Sequence, residues 1–160
     1  MTNVRRETDL RTAVLDAARQ LLVREGYRDL SMRDVANAVG CSVSSIYLYF
    51  AGKDALVHTL MDEGFERWYR RMREIADDPK GGTPREKLEA ICRAYVEFGL
   101  ANREFYEIMY MFHSDRMARY PKELFRRARR NFDLMAELVQ AYAPESAPSV
   151  ADARVTATAL

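Results

Sequence analysis

The segment over residues 31–53 constrains the fold more than any other part of the chain, because it predicts two short helices joined by a tight turn. Ser31 opens a capping box, which is typical of the start of a helix. Gly40 can adopt the left-handed conformation that ends this helix, and Ser42 can accept from the free amides of a second helix over about 43–49. Two helices hinged so closely form a shape that can lay one of them in a DNA groove.

The second short helix is expected to have a buried side and an exposed side. Ile46 and Phe50 are four residues apart, so both can pack inward. The other residues are then left facing outward or along the rim: Val43, Ser44, Ser45, Tyr47, Leu48 and Tyr49. Hydroxyl groups on such a surface can donate to base edges or phosphates, and Val43 and Leu48 can pack on thymine methyl groups.

This segment and its surroundings, over roughly residues 10–56, resemble the DNA-binding domain of the TetR family of bacterial transcriptional regulators. The matching pieces, in chain order, are Ala17-Ala18, Glu25-Gly26-Tyr27, Val35-Ala36, Gly40 with Ser42, Ile46-Tyr47-Leu48-Tyr49-Phe50, and Lys53-Asp54 with Leu56. Three positions depart from the usual family pattern: Cys41 replaces an aliphatic residue, Ser44 a glycine and Tyr49 a histidine. The first departure concerns packing, whereas the other two could change which bases are read.

The resemblance implies that the second short helix contacts bases and phosphates in the major groove of double-stranded DNA. The expected contact residues are Arg33, Val43, Ser44, Ser45, Tyr47, Leu48, Tyr49 and Lys53. Among them, Arg33 and Lys53 are expected to hold the DNA backbone on either side of the helix. The alternative is that both tyrosines belong to the core and the serines are simply solvated.

The spacing of apolar residues predicts an all-α chain without strands. Besides the two short helices, helices are expected over about 8–25, 53–77, 84–101, 102–114, 121–142 and 150–160. We therefore expect a three-helix DNA-binding domain with a helix-turn-helix over residues 1–52, followed by a larger helical domain over residues 53–160. The resemblance implies that the larger domain binds a ligand and forms the dimer. TetR-like proteins usually continue for two helices here, so truncation after Leu160 is left open.

Composition limits the class of protein but does not identify it. The net charge is +1, and residues 1–53 hold eight Lys or Arg against six Asp or Glu. This basic excess is small, so DNA affinity is expected to depend on a few specific contacts, made by two copies of the chain. No apolar stretch reaches about 18 residues and no signal peptide begins the chain, so we expect neither a membrane span nor secretion but a cytoplasmic protein. The distant cysteines, Cys41 and Cys92, are expected to be buried free thiols.

Aromatic and methionine side chains are dense between residues 65 and 135, which is typical either of a ligand cavity or of an ordinary core. The resemblance implies a small effector bound in this domain, and these residue types favour a mostly apolar or aromatic one. The candidate pocket residues are Trp68, Met72, Tyr95, Phe98, Tyr106, Met109, Tyr110, His113 and Phe132. For any one of them, ordinary core packing is the simpler interpretation.

The sequence gives no support for catalysis, because it has only two histidines and no phosphate loop, metal motif or nucleophile elbow. The arginines between 126 and 130 are expected to lie on a solvated face with acidic partners such as Glu66 and Glu123. The prediction is a DNA-binding transcriptional regulator without a cofactor, most commonly a ligand-released repressor acting as a homodimer on a near-palindromic operator. The competing hypothesis is an interaction protein that keeps the helix-turn-helix shape without binding DNA.

Overall fold

The structure, a computed structural model, describes the backbone of residues 2–110 and 117–142 and the side chains of residues 9–110 and 117–142. These residues form seven helices and no strand, as the sequence predicts. The helices are α1 (Thr2–Asp29), α2 (Met32–Val39), α3 (Val43–Tyr47), α4 (Lys53–Ala76), α5 (Pro84–Ala101), α6 (Arg103–Tyr110) and α7 (Lys122–Tyr142). We call α1–α3 the head and α4–α7 the body. The helix expected over 150–160 lies outside the described residues.

Local capping explains why most helix boundaries lie close to those that the sequence predicts. At the start of α5 the Thr83 hydroxyl accepts from the Glu86 amide at 3.3 Å, and the Glu86 carboxylate accepts from the Thr83 amide at 2.7 Å. Pro84 follows at the first helical position, where its missing N–H costs nothing. These signals lie within four consecutive residues, so they can be recognised without knowledge of the tertiary structure.

Two predicted helix ends are wrong. Helix α1 begins at Thr2 instead of residue 8 or 9, because the arginines and glutamate before that point are good helix formers and extend the helix. Helix α3 ends at Tyr47 instead of residue 49. The chain turns there to bury Phe50, and the carbonyl of Ile46 accepts from the amides of both residue 49 and residue 50, at 2.9 and 3.0 Å.

The first core joins the head to the beginning of the body. Its buried members are Val14, Leu15, Ala18, Leu21, Leu22, Tyr27, Leu30, Met32, Val35, Ala36, Ile46, Phe50, Leu56, Val57, Leu60 and Ile108. Leu56 and Val57 come from α4, Ile108 comes from α6, and all three are fully buried. Displacing the first turns of α4 would therefore disturb the packing of the head.

The second core lies inside the body and is rich in aromatic and methionine side chains. Its buried members are Trp68, Met72, Ile91, Ala94, Phe98, Phe105, Met109 and Leu134. Helix α6 approaches α4 closely at Gly64, where an added Cβ would lie 2.5 Å from the sulfur of Met109. The absence of a side chain at Gly64 therefore allows the two helices to pack.

Arginines on α7 attach it to α4, which confirms that they have acidic partners. A guanidinium nitrogen of Arg127 lies 2.9 Å from Asp62, and one of Arg130 lies 2.6 Å from Glu66. The Arg130 guanidinium also lies 4.4 Å from the ring centroid of Tyr69. Each exposed ion pair contributes little alone, about 0–1 kcal/mol, but together these contacts fix the register of α7 on α4.

The burial predicted for Phe132 and Cys92 is wrong, and two further aromatic side chains of the body are exposed as well. Phe125, Phe132 and Tyr142 are 58%, 67% and 49% exposed, and the Cys92 thiol is also exposed. The buried line of α7 instead passes through Ala128, Asn131 and Leu134. Residues 125, 132 and 139 are seven apart, so they share a neighbouring face of the helix that the described part of the body does not cover.

Candidate nucleic-acid interface

The turn between α2 and α3 is built by two N-caps and one left-handed glycine. The Ser31 hydroxyl accepts from the Asp34 amide at 3.2 Å and caps α2. Gly40 ends α2 with φ 75° and ψ 34°, and its amide donates to the carbonyl of Ala36 at 2.9 Å. The Ser42 hydroxyl then accepts from the Ser45 amide at 3.1 Å and starts α3. The predicted helix-turn-helix is therefore present in the structure.

Helix α3 has one buried side and one exposed side, as expected. Ile46 is fully buried and Phe50 is 3% exposed, so both anchor the helix to the first core. On the opposite side, Tyr47 is 53% exposed, Leu48 is 82% exposed and Ser44 is also exposed. Three predicted contact residues thus lie side by side on a surface that nothing in the described part of the chain covers.

Three further contact residues predicted on or beside α3 lie at its rim and already take part in the fold. Val43 and Tyr49 are half-buried and pack against the first core. The hydroxyl of Ser45 lies 2.8 Å from the hydroxyl of Ser42, so it belongs to the cap. A DNA contact from these residues would use only their exposed edges.

Lys53 stabilises the junction between α1 and α4, a role that the sequence did not indicate. Its ammonium donates to the carbonyl of Tyr27 at 2.8 Å and to that of Arg28 at 3.4 Å, and it lies 4.3 Å from the Tyr27 ring centroid. The ammonium therefore neutralises the carbonyl end of α1. Its predicted contact with the DNA backbone stays a prediction.

Two exposed arginines of the head carry charges that no described acidic side chain neutralises. Arg33 on α2, a predicted contact, has no hydrogen bond or ion pair with any residue that the structure describes. Arg28, which the sequence analysis missed, is exposed next to Lys53 and its guanidinium is likewise unpaired among the described side chains. The only signal for Arg28 in the sequence is a basic residue in the last turn of α1.

A hydrogen-bonded junction links the head to the segment that precedes α7. The Tyr27 hydroxyl donates to one oxygen of Asp54, and the Ala118 amide donates to the other at 3.2 Å. His58 is buried, hydrogen-bonds to the backbone of Ala118 and meets the Tyr120 ring edge-on at 5.3 Å. We call these five residues the junction.

Burial dominates the electrostatics of the junction. Burial, reinforced by the hydrogen bond to Asp54, raises the pKa of Tyr27 to about 12. Burial also lowers the pKa of His58, against the opposing effects of the Ala118 backbone and of the Asp54 charge. Near neutral pH the Tyr27 phenol and the His58 imidazole are therefore both neutral.

The predicted pocket residues pack mostly against one another. Trp68, Met72, Phe98 and Met109 are buried in the second core. Tyr95, Tyr106 and Tyr110 form a ring cluster beside it, with centroid distances of 5.1 to 6.5 Å. Phe132 lies apart in solvent, and His113 lies outside the described residues. A groove of about 640 Å³ lies between α4 and α5, and Phe98 is the one member of the predicted set that lines it.

The described residues restrict the other kinds of site that the chain can carry. Among them, no three His, Cys, Asp or Glu side chains are grouped so that they could hold a metal ion. None of the helices over these residues is both long enough and apolar enough to cross a membrane.

Comparison with known proteins gives two family matches. The family described as "Bacterial regulatory proteins, tetR family" matches residues 14–60, which include α2, α3 and the start of α4. The family described as "Tetracyclin repressor-like, C-terminal domain" matches residues 88–160. The two matches do not overlap and follow each other in the order of head and body.

Individual relatives agree with these matches. The HTH-type transcriptional repressor KstR2 of Mycobacterium tuberculosis is 28% identical over 113 residues, which cover 70% of this chain and 54% of that protein. An uncharacterized HTH-type transcriptional regulator in the dhlA 5′ region of Xanthobacter autotrophicus is 33% identical over 95 residues, covering 59% of this chain and 47% of that protein. The chain thus spans about half the length of these curated relatives.

A solved structure supports the same fold. The crystal structure of a TetR-family transcriptional regulator from Bordetella parapertussis 12822 superposes with a TM-score of 0.72 at 21% identity, over 97% of this chain and 77% of that one. At this identity the likeness establishes the fold alone. Combined with the two family matches along the sequence, it leads to one conclusion: the chain belongs to the TetR family of bacterial transcriptional regulators.

Proposed function

We propose that this chain is part of a sequence-specific DNA-binding regulator whose helix α3 reads bases in the major groove. The observation that carries the proposal is the exposed set of Ser44, Tyr47 and Leu48 on a capped helix whose other side is anchored by Ile46. A hydroxyl can donate to a base edge and Leu48 can cover a thymine methyl. The name of the relative KstR2, a transcriptional repressor, supports repression as the regulatory outcome.

Contacts to the DNA backbone would come from the exposed arginines on either side of α3. Arg28 and Arg33 have no acidic partner among the described residues, so neither must break an ion pair to reach a phosphate. The chain as a whole carries only +1, so affinity would depend on a small number of placed contacts. Two heads on one operator would double that number, which is a reason to propose a homodimer.

The homodimer would bury apolar surface that the described body leaves exposed. Phe125, Phe132 and Val139 form a stripe along α7 with 58%, 67% and 40% of each side chain exposed. Such a stripe on a charged helix is typical of a surface that packs against another element. Light scattering should then give about twice the chain mass of 18.5 kDa, and Phe132→Ser should shift the average toward one chain.

Release of DNA by an effector would act through the first turns of α4. In this proposal residues 1–52 read DNA, and residues 53–160 dimerise and bind a small, mostly apolar or aromatic effector in the cytoplasm. Lys53 and Asp54 tie α4 to the end of α1, while Leu56 packs in the same core as α3. An effector that prefers a displaced α4 would therefore favour a different spacing of the two heads and weaken operator binding.

The experiment that tests the function is selection from a random-sequence duplex library, followed by fluorescence anisotropy at several salt concentrations. We expect enrichment of an inverted repeat whose half-sites are about 34 to 36 Å apart, and a steep loss of affinity with salt. An interaction protein without DNA binding would enrich no sequence and show no salt-dependent signal. That result would overturn the proposal.

A pair of leucine variants separates base contact from general surface effects. Leu48→Ala at the C-terminal cap of α3 and Leu100→Ala on α5 remove side chains of nearly equal exposure, 82% and 80%. We expect Leu48→Ala to weaken the selected operator at least tenfold, whereas Leu100→Ala should leave its affinity unchanged. Equal effects of the two substitutions would mean that α3 is not the reading helix.

A further inference from the structure

A groove between α4 and α5 has one wall rich in arginine and apolar side chains in its floor. It has a volume of about 640 Å³, which falls within the usual range for small-molecule sites. Arg67, Arg70 and Arg71 of α4 line one wall, and the floor includes Phe98 of α5. We call this the arginine groove. Apart from Phe98, it shares no residue with the pocket predicted from the sequence.

The positive charge of the arginine groove is only partly neutralised. Arg71 lies 3.1 Å from Glu74, and the guanidinium of Arg67 stacks 4.5 Å from the ring centroid of Phe105. Arg70 makes no hydrogen bond or ion pair with the described residues. On the α5 side, Glu97 is the lining carboxylate. The three guanidinium groups thus share the groove with two carboxylates, one of which already belongs to an ion pair, and Glu63 outside the groove also acts on the charge of Arg67.

An anion with an apolar part fits these features better than a neutral ligand. Guanidinium groups bind carboxylates and phosphates through paired, charge-assisted hydrogen bonds, which are stronger than neutral ones. The stacking of Arg67 on Phe105 orients one such group in advance, so less side-chain freedom is lost on binding. Phe98 and the two alanines in the floor, Ala94 and Ala101, offer apolar contact to the rest of the molecule.

We propose that the arginine groove binds a small amphipathic organic acid, with its anionic head on Arg70 and Arg67 and its apolar part over Phe98. Binding of the acid depends on the groove alone. A regulatory effect of that binding rests on the proposed function, because it would act through α4, the helix that carries Arg67 and Arg70 and contributes to the junction. Occupation would bias the position of α4 only if the ligand prefers one arrangement of α4 and α5.

The chain contains its own reporter for this site. Trp68 is the single tryptophan, is 4% exposed, and its ring centroid lies 5.5 Å from that of Phe98 in the floor of the groove. A ligand lying over Phe98 should therefore change the intrinsic fluorescence of Trp68. The signal reports binding whether or not DNA is present.

The test titrates the chain with decanoate and with decanol, which share the alkyl chain but differ in charge. We expect decanoate to shift the Trp68 fluorescence with a dissociation constant at least tenfold lower than that of decanol. Arg70→Gln should weaken decanoate at least tenfold. Arg73→Gln is the matched control, because Arg73 is on the same helix but pairs with Asp77 at 2.9 Å outside the groove. It should bind decanoate like the unaltered chain.

Three results would overturn the proposal: no saturable decanoate signal, equal affinity for decanoate and decanol, or equal weakening by the two arginine substitutions. Operator binding measured in the same samples keeps the two proposals apart. A chain that binds its operator but not decanoate would refute the groove site and leave the DNA-binding function intact. A chain that binds decanoate but no DNA would do the opposite.

Discussion

The head and the body bury and expose different kinds of side chain. The first core, which serves the head, is largely aliphatic, with Leu22, Leu30 and Ile46 fully buried, whereas the second core of the body is built around Trp68 and Phe98. The large exposed apolar side chains of the described head are Tyr47 and Leu48. Those of the described body are Val96, Leu100, Phe125, Phe132, Val139 and Tyr142, spread over α5 and α7.

This difference indicates that the head, packed on the start of α4, leaves little apolar surface uncovered, while the body presents surface for further contacts. In the head the exposed apolar groups are concentrated at one point, the end of α3, where a DNA groove could receive them. In the body they are distributed along two helices, as expected for faces that pack against other elements. The junction is the place where these two regions can influence each other.

The largest expected effects come from truncating one buried side chain in each of the two cores. Trp68→Ala should lower the free energy of unfolding by about 3–5 kcal/mol and Ile46→Ala by about 2–5 kcal/mol, because both side chains are buried and leave cavities. Urea titration followed by far-UV circular dichroism measures both. At a temperature where both variants stay folded, Ile46→Ala should also weaken DNA binding, while Trp68→Ala should not. The reverse order of DNA effects would contradict the division into head and body.

Disrupting the junction should have the next largest effect. Asp54→Ala leaves the Tyr27 hydroxyl and the Ala118 amide without their acceptor, which should cost about 1–3 kcal/mol of unfolding free energy. It should also weaken operator binding, since the end of α1 loses one of its hydrogen-bonded links to α4 and keeps only those of Lys53. Asp9→Ala removes an exposed carboxylate of α1 that makes no hydrogen bond or ion pair with the described residues, so it is the comparison variant. Similar operator affinities in the two variants would argue against the junction as the route of coupling.

The sequence predicts the head better than the body for a physical reason. The capping serines, Gly40 and the inward pair on α3 are signals contained within about four residues each, and all of them hold in the structure. The burial of Phe132 and Cys92 was predicted wrongly, because an apolar residue on a helix does not reveal which neighbouring element covers it. The junction and the arginine groove could not be foreseen for the same reason, since both join residues distant in the sequence.

A smaller effect should follow from strain at the turn of the head. In Gly40→Ala the new Cβ would have no neighbour within 4 Å. The free energy of unfolding should therefore fall only because alanine disfavours the left-handed backbone, by about 1–2 kcal/mol. Gly40→Asn should cost less, because asparagine tolerates this conformation. Thermal unfolding of the three proteins checks the order Gly, Asn, Ala. If Ala and Asn prove equally stable, another contact must hold the turn.

The smallest expected effect is a pH dependence of stability that arises at the junction. Burial lowers the pKa of His58 below its ordinary value of 6.5, so the unfolded chain binds a proton there before the folded one does. The free energy of unfolding should therefore fall as pH decreases below about 6.5, and His58→Gln should remove this slope. His113→Gln, which keeps His58, should retain it.

The partly buried carboxyl group of Glu63 gives an effect of the opposite sign, which makes the test on His58 specific. Burial raises the pKa of Glu63 above its ordinary value of 4.5, so the folded chain binds this proton first, and the resulting stability is lost as pH rises through the raised pKa. Loss of stability on acidification from pH 7 to 6 therefore cannot come from Glu63. If that loss persists in His58→Gln, the slope does not arise at His58, and the proposed contribution of its lowered pKa to stability is contradicted.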